Sequence, residues 1–212
     1  VRDRGCVVVA NHLSYADPLV VAHYLNDNGI APSFLGKVEV FNIPVIGKIL
    51  RSARQIPVYR ETGQAADAYR AAVAAVEQGR CIVIYPEATL TRDPDLWPMR
   101  GKTGAARIAL QTRCPVVPVV NWGAQAIIGP YESKPDLLPI KEVIVRAGAP
   151  VDLADLYERP ITREVLQQAT DRIMAALTGL LEEVRGEKAP TTRFDPRAVG
   201  IPTKGNPTKE QR

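Results

Sequence analysis

No stretch of the 212-residue sequence approaches the ~18–20 consecutive apolar residues that a membrane-spanning helix needs. The longest apolar runs, around Leu19–Leu25 and Pro115–Val120, are far shorter. No signal-peptide pattern stands at the start. The chain opens on Val1 and enters a strand-like stretch almost at once, so residues upstream of it are expected. Cysteine is scarce. Cys6, Cys81 and Cys114 cannot all pair and none forms a CxxC, which excludes a disulfide framework and a cysteine zinc site. Small buried thiols in a reducing compartment are the expectation. There is no GxSxG nucleophile elbow, so a covalent serine mechanism of that type has no place to sit, and there is no HExxH. Gly101-Lys102-Thr103 imitates the end of a P-loop, but Leu96 occupies the position of the required first glycine. A basic body is also missing. The net charge is +4, and residues 186–212 carry six Lys/Arg against three acids. The remainder is close to neutral, which argues against a nucleic-acid partner.

Against these absences, 46% of residues are hydrophobic and 24% charged, the balance of a packed globular domain. Gly5–Ala10, Ser33–Gly36, Gln55–Val58, Cys81–Tyr85, Val116–Val120 and Glu142–Ala147 read as strands, most of them continuous β-branched runs. Between them, helices are expected at about Pro18–Asn28, Pro44–Arg51, Gln64–Gln78 with a stop at Gly79, Thr103–Gln111 and Thr162–Val184. Strands that alternate with helices and are apolar throughout predict a single α/β domain over residues 1–185, with a mostly parallel buried sheet covered by helices on both faces. Residues 186–212 hold four prolines and no apolar periodicity, and are expected to be a disordered basic tail. In such folds, sites gather at loops leaving the carboxyl ends of strands.

Three segments put reactive groups at such loops. After the first strand comes Asn11-His12-Leu13-Ser14-Tyr15-Ala16-Asp17-Pro18. On a regular helix His12 and Asp17 would diverge, so they meet only if the segment is a turn leading into a helix, which Pro18 favours. A carboxylate on one imidazole nitrogen would make the other a general base. The competing reading makes Asp17 a helix N-cap and His12 a polar strand-end residue. Lys37 follows the second strand and Arg60 follows Gln55–Val58, a placement that suits a phosphate or plain surface charge. The Cys81–Tyr85 strand runs into Tyr85-Pro86-Glu87-Ala88-Thr89-Leu90-Thr91-Arg92, which reads as a site loop or as a polar turn with Glu87 and Thr89 as caps. The prolines around Val116–Val120 suggest a shaped wall or a sheet edge. His23 reads as an ordinary helix residue. Trp97, in an irregular proline-flanked segment, suggests contact with a membrane interface.

Taken together, these segments resemble the glycerolipid acyltransferase family, whose bacterial type member is 1-acyl-glycerol-3-phosphate acyltransferase. The N-H-x4-D block matches Asn11, His12 and Asp17. A second block matches Lys37, Glu39, Phe41, Pro44 and Gly47, and closes on Ile56–Arg60. The P-E-G-T block matches Pro86, Glu87 and Thr89, and V-P-V matches Val117–Val119. The blocks fall in the family's order within residues 5–120. Three positions depart from it. Ala88 replaces a glycine, Leu90 stands where an arginine often follows, and Arg54 replaces a glycine common ahead of I-P-V. The resemblance implies transfer of an acyl group from acyl-CoA or acyl carrier protein to the hydroxyl of 1-acyl-glycerol 3-phosphate, giving phosphatidic acid. His12 would be the base and Asp17 its orienting carboxylate. Lys37, Arg60 and Arg92 would hold the acceptor phosphate, and Glu87 and Thr89 would position the acceptor. The oxyanion donor would be a backbone amide near the His12 turn or the Glu87 loop. No metal or other cofactor is required. A lipid acceptor implies a peripheral protein on the cytoplasmic face of the plasma membrane, with no nucleic-acid partner. The departures leave open another acceptor, such as glycerol 3-phosphate or a glycolipid, and a non-catalytic lipid-binding module.

Overall fold

The computed structural model describes residues 4–58, 64–132 and 134–202. The elements run β1 (Cys6–Ala10), α1 (Asp17–Asp27), β2 (Pro32–Lys37), α2 (Val38–Phe41), α3 (Ile46–Ser52), β3 (Ile56–Val58), α4 (Gln64–Glu77) and β4 (Cys81–Ile84). They continue with α5 (Gly104–Thr112), β5 (Val116–Trp122), α6 (Ala124–Ile127), β6 (Ile144–Ala147), a 3-10 turn at Ala154–Leu156 and α7 (Arg163–Arg185). Every strand and helix expected from the sequence is present, with ends moved by a residue or two. The short helices α2 and α6 and the 3-10 turn carry too few residues for a periodicity to show.

One six-stranded sheet has the order β3-β2-β4-β1-β5-β6. The first five strands are parallel, and β6 runs antiparallel along β5. The apolar runs explain this. All five residues of β1 are buried, because both faces of the sheet are covered. Val7 and Val9 point toward Ala72 and Val76 of α4, Ile108 of α5 and Ile173 of α7. Cys6, Val8 and Ala10 point toward Val21 and Leu25 of α1. Each fully buried Val is worth roughly 1.5–3 kcal/mol relative to exposure. The three cysteines are free and buried, and Cys6 sits opposite Cys81 in the β1–β4 register.

Caps set the helix ends where the sequence marks them. Thr162 accepts the Val165 amide at the start of α7, and Gly186 at φ 67° closes it. Gly79 at φ 78° ends α4. One expectation is corrected. The Val116–Val120 run is not an edge, because β5 is flanked by β1 and β6. Pro118 is tolerated there because its carbonyl, and hence its missing N–H, faces the β6 side just beyond the ladder, where Gly148 N–H donates to that carbonyl at 2.8 Å. Residues 187–202, part of the segment 186–212 expected as a tail, carry no helix or strand and lie against α7. Ala189 packs on the cluster around Leu177 and Leu181, Arg193 reaches Asp171 at 3.8 Å, and Asp195 reaches Arg100 at 3.4 Å. The rest of that segment, 203–212, lies outside the described residues. No helix among the described residues is long and apolar enough to cross a membrane.

Candidate active site

The connection β1–α1–β2 places α1 on one face of the sheet, while β4–α5–β5 places α5 on the other. The loops leaving the adjacent strands β1 and β4 therefore separate and open a crevice at the carboxyl end of the sheet. His12 stands in the first loop and Glu87 in the second.

The His12 segment is a turn, as the spacing requires. Asp17 is fully buried. Its Oδ2 accepts from the Leu13 amide at 2.6 Å, the Ser14 amide at 2.9 Å and His12 Nδ1 at 2.8 Å. A carboxylate is acceptor-only, so Nδ1 carries the proton and Nε2 presents its lone pair to the crevice. The N-cap alternative falls. The cap residue of α1 is Ala16, no side chain caps it, and the Asp17 carboxylate turns back onto the loop. Because the Leu13 and Ser14 amides are committed to Asp17, neither serves as an oxyanion donor. Ser14 Oγ bridges the Ala16 amide and the Ile128 carbonyl, which seats the turn against the chain beyond α6. Asn11 holds the end of β1 to β5 through both main-chain groups of Asn121, each at 2.9 Å.

The imidazole is fixed on a second side. Its ring stacks on Tyr85 with centroids 4.1 Å apart and planes 20° apart, and Phe34 lies beyond Tyr85. Sequence reasoning named Tyr85 at the head of the Glu87 segment but gave it no role, since it read as the last residue of a buried strand. The only available signal was that β4 must lie beside β1, which is a property of the sheet order. Burial and the Asp17 charge hold the Tyr85 hydroxyl well above its ordinary range, so it stays protonated.

The Glu87 loop is tied to His12 directly, since the Thr91 amide donates to the His12 carbonyl at 2.7 Å. Glu87 is buried and does not cap a helix. Its Oε2 accepts the Met99 amide at 3.0 Å. Burial raises its carboxyl to about 8, while hydrogen bonds from the Met99 and His12 backbones pull the other way. Glu87 is thus largely neutral at pH 7. Thr89 Oγ1 lies 3.4 Å from the Tyr131 hydroxyl, which donates to the Leu90 carbonyl. Arg92 is buried with its guanidinium 5.7 Å from the Tyr131 ring. The structure thus gathers His12, Asp17, Glu87, Thr89 and Arg92 at one end of the sheet. Lys37 closes β2 at that same end, but nothing is described of its side chain, and Arg60 lies outside the described residues. Trp97 is buried and not interfacial. The Arg185 guanidinium is sandwiched between the Trp97 and Trp122 rings, 3.9 and 4.3 Å from their centroids.

Beside His12 a cavity of about 660 Å3 opens between the sheet and α2–α5. Phe34, Phe41, Leu50, Ala72, Ile84 and Ile108 give it an apolar wall, with His12 at its margin. The second sequence block shapes this wall. Phe41 is buried, and a Cβ on Gly47 would fall 1.9 Å from the Phe41 carbonyl, so only glycine lets α3 approach α2 this closely.

Comparison with known proteins bears on the fold and the family. A family model described as Acyltransferase matches residues 1–122. A chloroplastic 1-acyl-sn-glycerol-3-phosphate acyltransferase of Brassica napus is 32% identical over 127 residues, 59% of this chain and 35% of the relative. The human 1-acyl-sn-glycerol-3-phosphate acyltransferase beta is 29% identical over 119 residues, 55% of this chain and 41% of the relative. The match therefore spans between a third and a half of the length of these curated relatives. The fold matches the crystal structure of the 1-acyl-sn-glycerophosphate (LPA) acyltransferase PlsC from Thermotoga maritima, with a TM-score of 0.65 and 23% identity over 90% of this chain and 70% of that one. With more than half of its residues covered by the family model, the chain belongs to the acyltransferase family.

Proposed function

We propose that the chain transfers a fatty acyl group from acyl-CoA or acyl carrier protein to the free hydroxyl of 1-acyl-glycerol 3-phosphate, forming phosphatidic acid. The observation that carries this reading is the His12–Asp17 pair, 2.8 Å apart, at the margin of an apolar cavity. His12 Nε2 takes the proton of the acceptor hydroxyl as its oxygen attacks the thioester carbonyl carbon. The tetrahedral intermediate collapses, the C–S bond breaks, and the imidazolium returns the proton to the departing sulfur. No acyl-enzyme forms. Asp17 fixes the tautomer and stabilises the imidazolium. The cavity takes the acyl chain. Neutral Glu87 and Thr89 hold the acceptor, and Arg92, with Lys37 and Arg60, binds its phosphate. No metal or other cofactor takes part. The protein works as a peripheral protein at the cytoplasmic face of the plasma membrane, a location in keeping with its three free, buried thiols.

One observation supports a second acceptor. Leu90, which stands where the resemblance places an arginine, is 3% exposed and offers nothing to a phosphate. Glycerol 3-phosphate or a glycolipid headgroup is therefore the rival. The test is mass-spectrometric acyl transfer with both donors, and with lysophosphatidic acid and glycerol 3-phosphate in competition. Phosphatidic acid is expected from the wild type, with His12→Ala lowering turnover about 10²–10⁴-fold. Product from glycerol 3-phosphate alone would select the rival. Turnover unaffected by His12→Ala would remove the mechanism. Lipid binding with no turnover would leave a non-catalytic module.

A further inference from the structure

Among the described residues, most of the large apolar side chains left exposed lie at one end of the sheet. Tyr15 and Leu19 belong to the turn and helix leaving β1. Ile43 and Val45 form the tip between α2 and α3, which leaves β2, and Ile49 continues along α3. Leu137, Leu138 and Ile140 lie in the segment between α6 and β6, which leaves β5 and returns to the start of antiparallel β6. All three segments emerge at the carboxyl end of the parallel strands, where His12 stands. Val45 is 65% exposed, Leu138 79% and Ile140 92%, so the described residues leave these side chains largely uncovered.

From this placement we infer that the α2–α3 tip and the 137–140 segment form the surface by which the protein docks on an anionic lipid bilayer, with the crevice facing the membrane. The inference rests on the lipid acceptor proposed above and names the surface that meets it. Three features commit the surface to a bilayer. First, α3 carries Lys48 and Arg51 and no acid, and the Arg51 guanidinium reaches back toward Gly47 and the tip, which suits anionic headgroups beside an apolar insertion. Second, the tip is continuous with the cavity. Val40 and Phe41 of α2 and Leu50 of α3 line it, so an acyl chain leaving the bilayer along this edge would meet apolar wall up to His12. Third, the apolar side chains come from three separate segments at the same end of the sheet and not from one groove, a spread that a bilayer covers and a single helix of a carrier protein does not. Val45 holds φ 70°, a conformation a β-branched residue rarely adopts. It lets the chain reverse between α2 and α3 with Ile43 and Val45 outward, and such strain collects at functional segments.

The experiment is co-sedimentation of the chain with phosphatidylcholine vesicles, with and without phosphatidylglycerol. The paired variants are Ile43→Asp/Val45→Asp, Leu138→Asp/Ile140→Asp and Lys48→Glu/Arg51→Glu. Ile161→Asp, at the opposite end in the connection before α7, is the control. Each apolar pair is expected to lower the bound fraction about tenfold or more on both vesicle types. The charge pair should lower it only where phosphatidylglycerol is present, and the control should bind as wild type. Circular dichroism, and acyl transfer to a short-chain acceptor dispersed in detergent, should be unchanged in the two apolar pairs, which separates docking from folding. Wild-type binding by both apolar pairs, an equal loss in the control, or no binding by the wild type would overturn the inference. So would variants that bind vesicles normally but lose transfer from acyl carrier protein alone, since the surface would then belong to the carrier. Docking that depends on these residues, in a protein that transfers no acyl group to any acceptor, would instead remove the proposed function and leave the surface.

Discussion

At the scale of single residues, the departures from the family pattern have physical consequences that can be measured. Ala88 and Arg54 both stand where a glycine is usual, and both adopt left-handed backbone, with φ 59° and 54°. An L-residue pays roughly 1–2 kcal/mol for that region, partly offset by the greater unfolded-state freedom of glycine. Ala88→Gly is therefore expected to stabilise the fold by about 1 kcal/mol in urea denaturation, with acyl transfer retained. A loss of stability would mean that the methyl group packs well enough to outweigh the strain. Glu87 gives a second residue-level expectation. Its carboxyl sits near 4.5 when unfolded and is raised to about 8 by burial. The unfolded chain releases that proton first as pH rises, so this group lowers stability progressively between about pH 5 and pH 8 and adds nothing below that window. Glu87→Gln removes the titration and keeps an oxygen for the Met99 amide. The stability of wild type relative to Glu87→Gln should thus fall across the window, as read by denaturation at pH 5 and pH 8. A constant difference would show that Glu87 is ionised in the folded state.

At the scale of elements, the site depends on how three loops are held together. The 86–102 loop carries Glu87 and Arg92 and has almost no regular structure of its own. Its far end is pinned by Trp97, which with Trp122 of β5 encloses the guanidinium of Arg185, the last residue of α7. Arg185 also donates to the Asp95 carbonyl at 2.8 Å and to Glu187 at 2.6 Å. A desolvated cation–π contact is worth about 2 kcal/mol. Arg185→Ala is expected to cost about 2–4 kcal/mol, with more of the loss in protection of the 91–99 amides than in the β1–β4 core. Hydrogen exchange checks this, and uniform loss of protection would mean that the sandwich serves overall stability and does not restrain the loop specifically. Periodicity displayed these elements well: α7, with its apolar three- and four-residue steps, begins and ends within a residue of its expected bounds. The loop between β4 and α5 showed none of its internal order, because that order comes from non-periodic contacts: Glu87 with the Met99 amide, Thr91 with the His12 carbonyl, and Trp97 with α7 and β5 through Arg185.

At the scale of the whole molecule, one sheet separates the core around α4, α5 and α7 from the core around α1, and β1 contributes to both. Two cores that share every central strand should be lost together. Far-ultraviolet circular dichroism and tryptophan fluorescence should therefore give coincident urea transitions, with Trp97 and Trp122 reporting on the α7 side. Separate midpoints would show that one face unfolds alone. Residues 187–202 add little to this unit, since their ion pairs with Arg100 and Asp171 involve largely exposed partners worth about 0–1 kcal/mol each.

The sequence alone determined the alternation of strands and helices and the burial of the sheet on both faces, and it offered the turn that brings His12 to Asp17 as one of two readings. Each of these follows from local spacing: β-branched runs, helical periodicity, and a proline placed to start α1. Only the tertiary structure decided which loops lie side by side. Tyr85 reaches His12 because β4 pairs with β1 across 75 residues of sequence, and Tyr131 and Trp97 join the site through β5 and α7. It also decided what is exposed. Ile43, Val45, Leu138 and Ile140 read as ordinary apolar residues in sequence, and they stand out as a surface only because the fold leaves them uncovered at the His12 end. Such neighbours are set by strand order and by which face each crossover helix covers, properties that no local window of sequence contains.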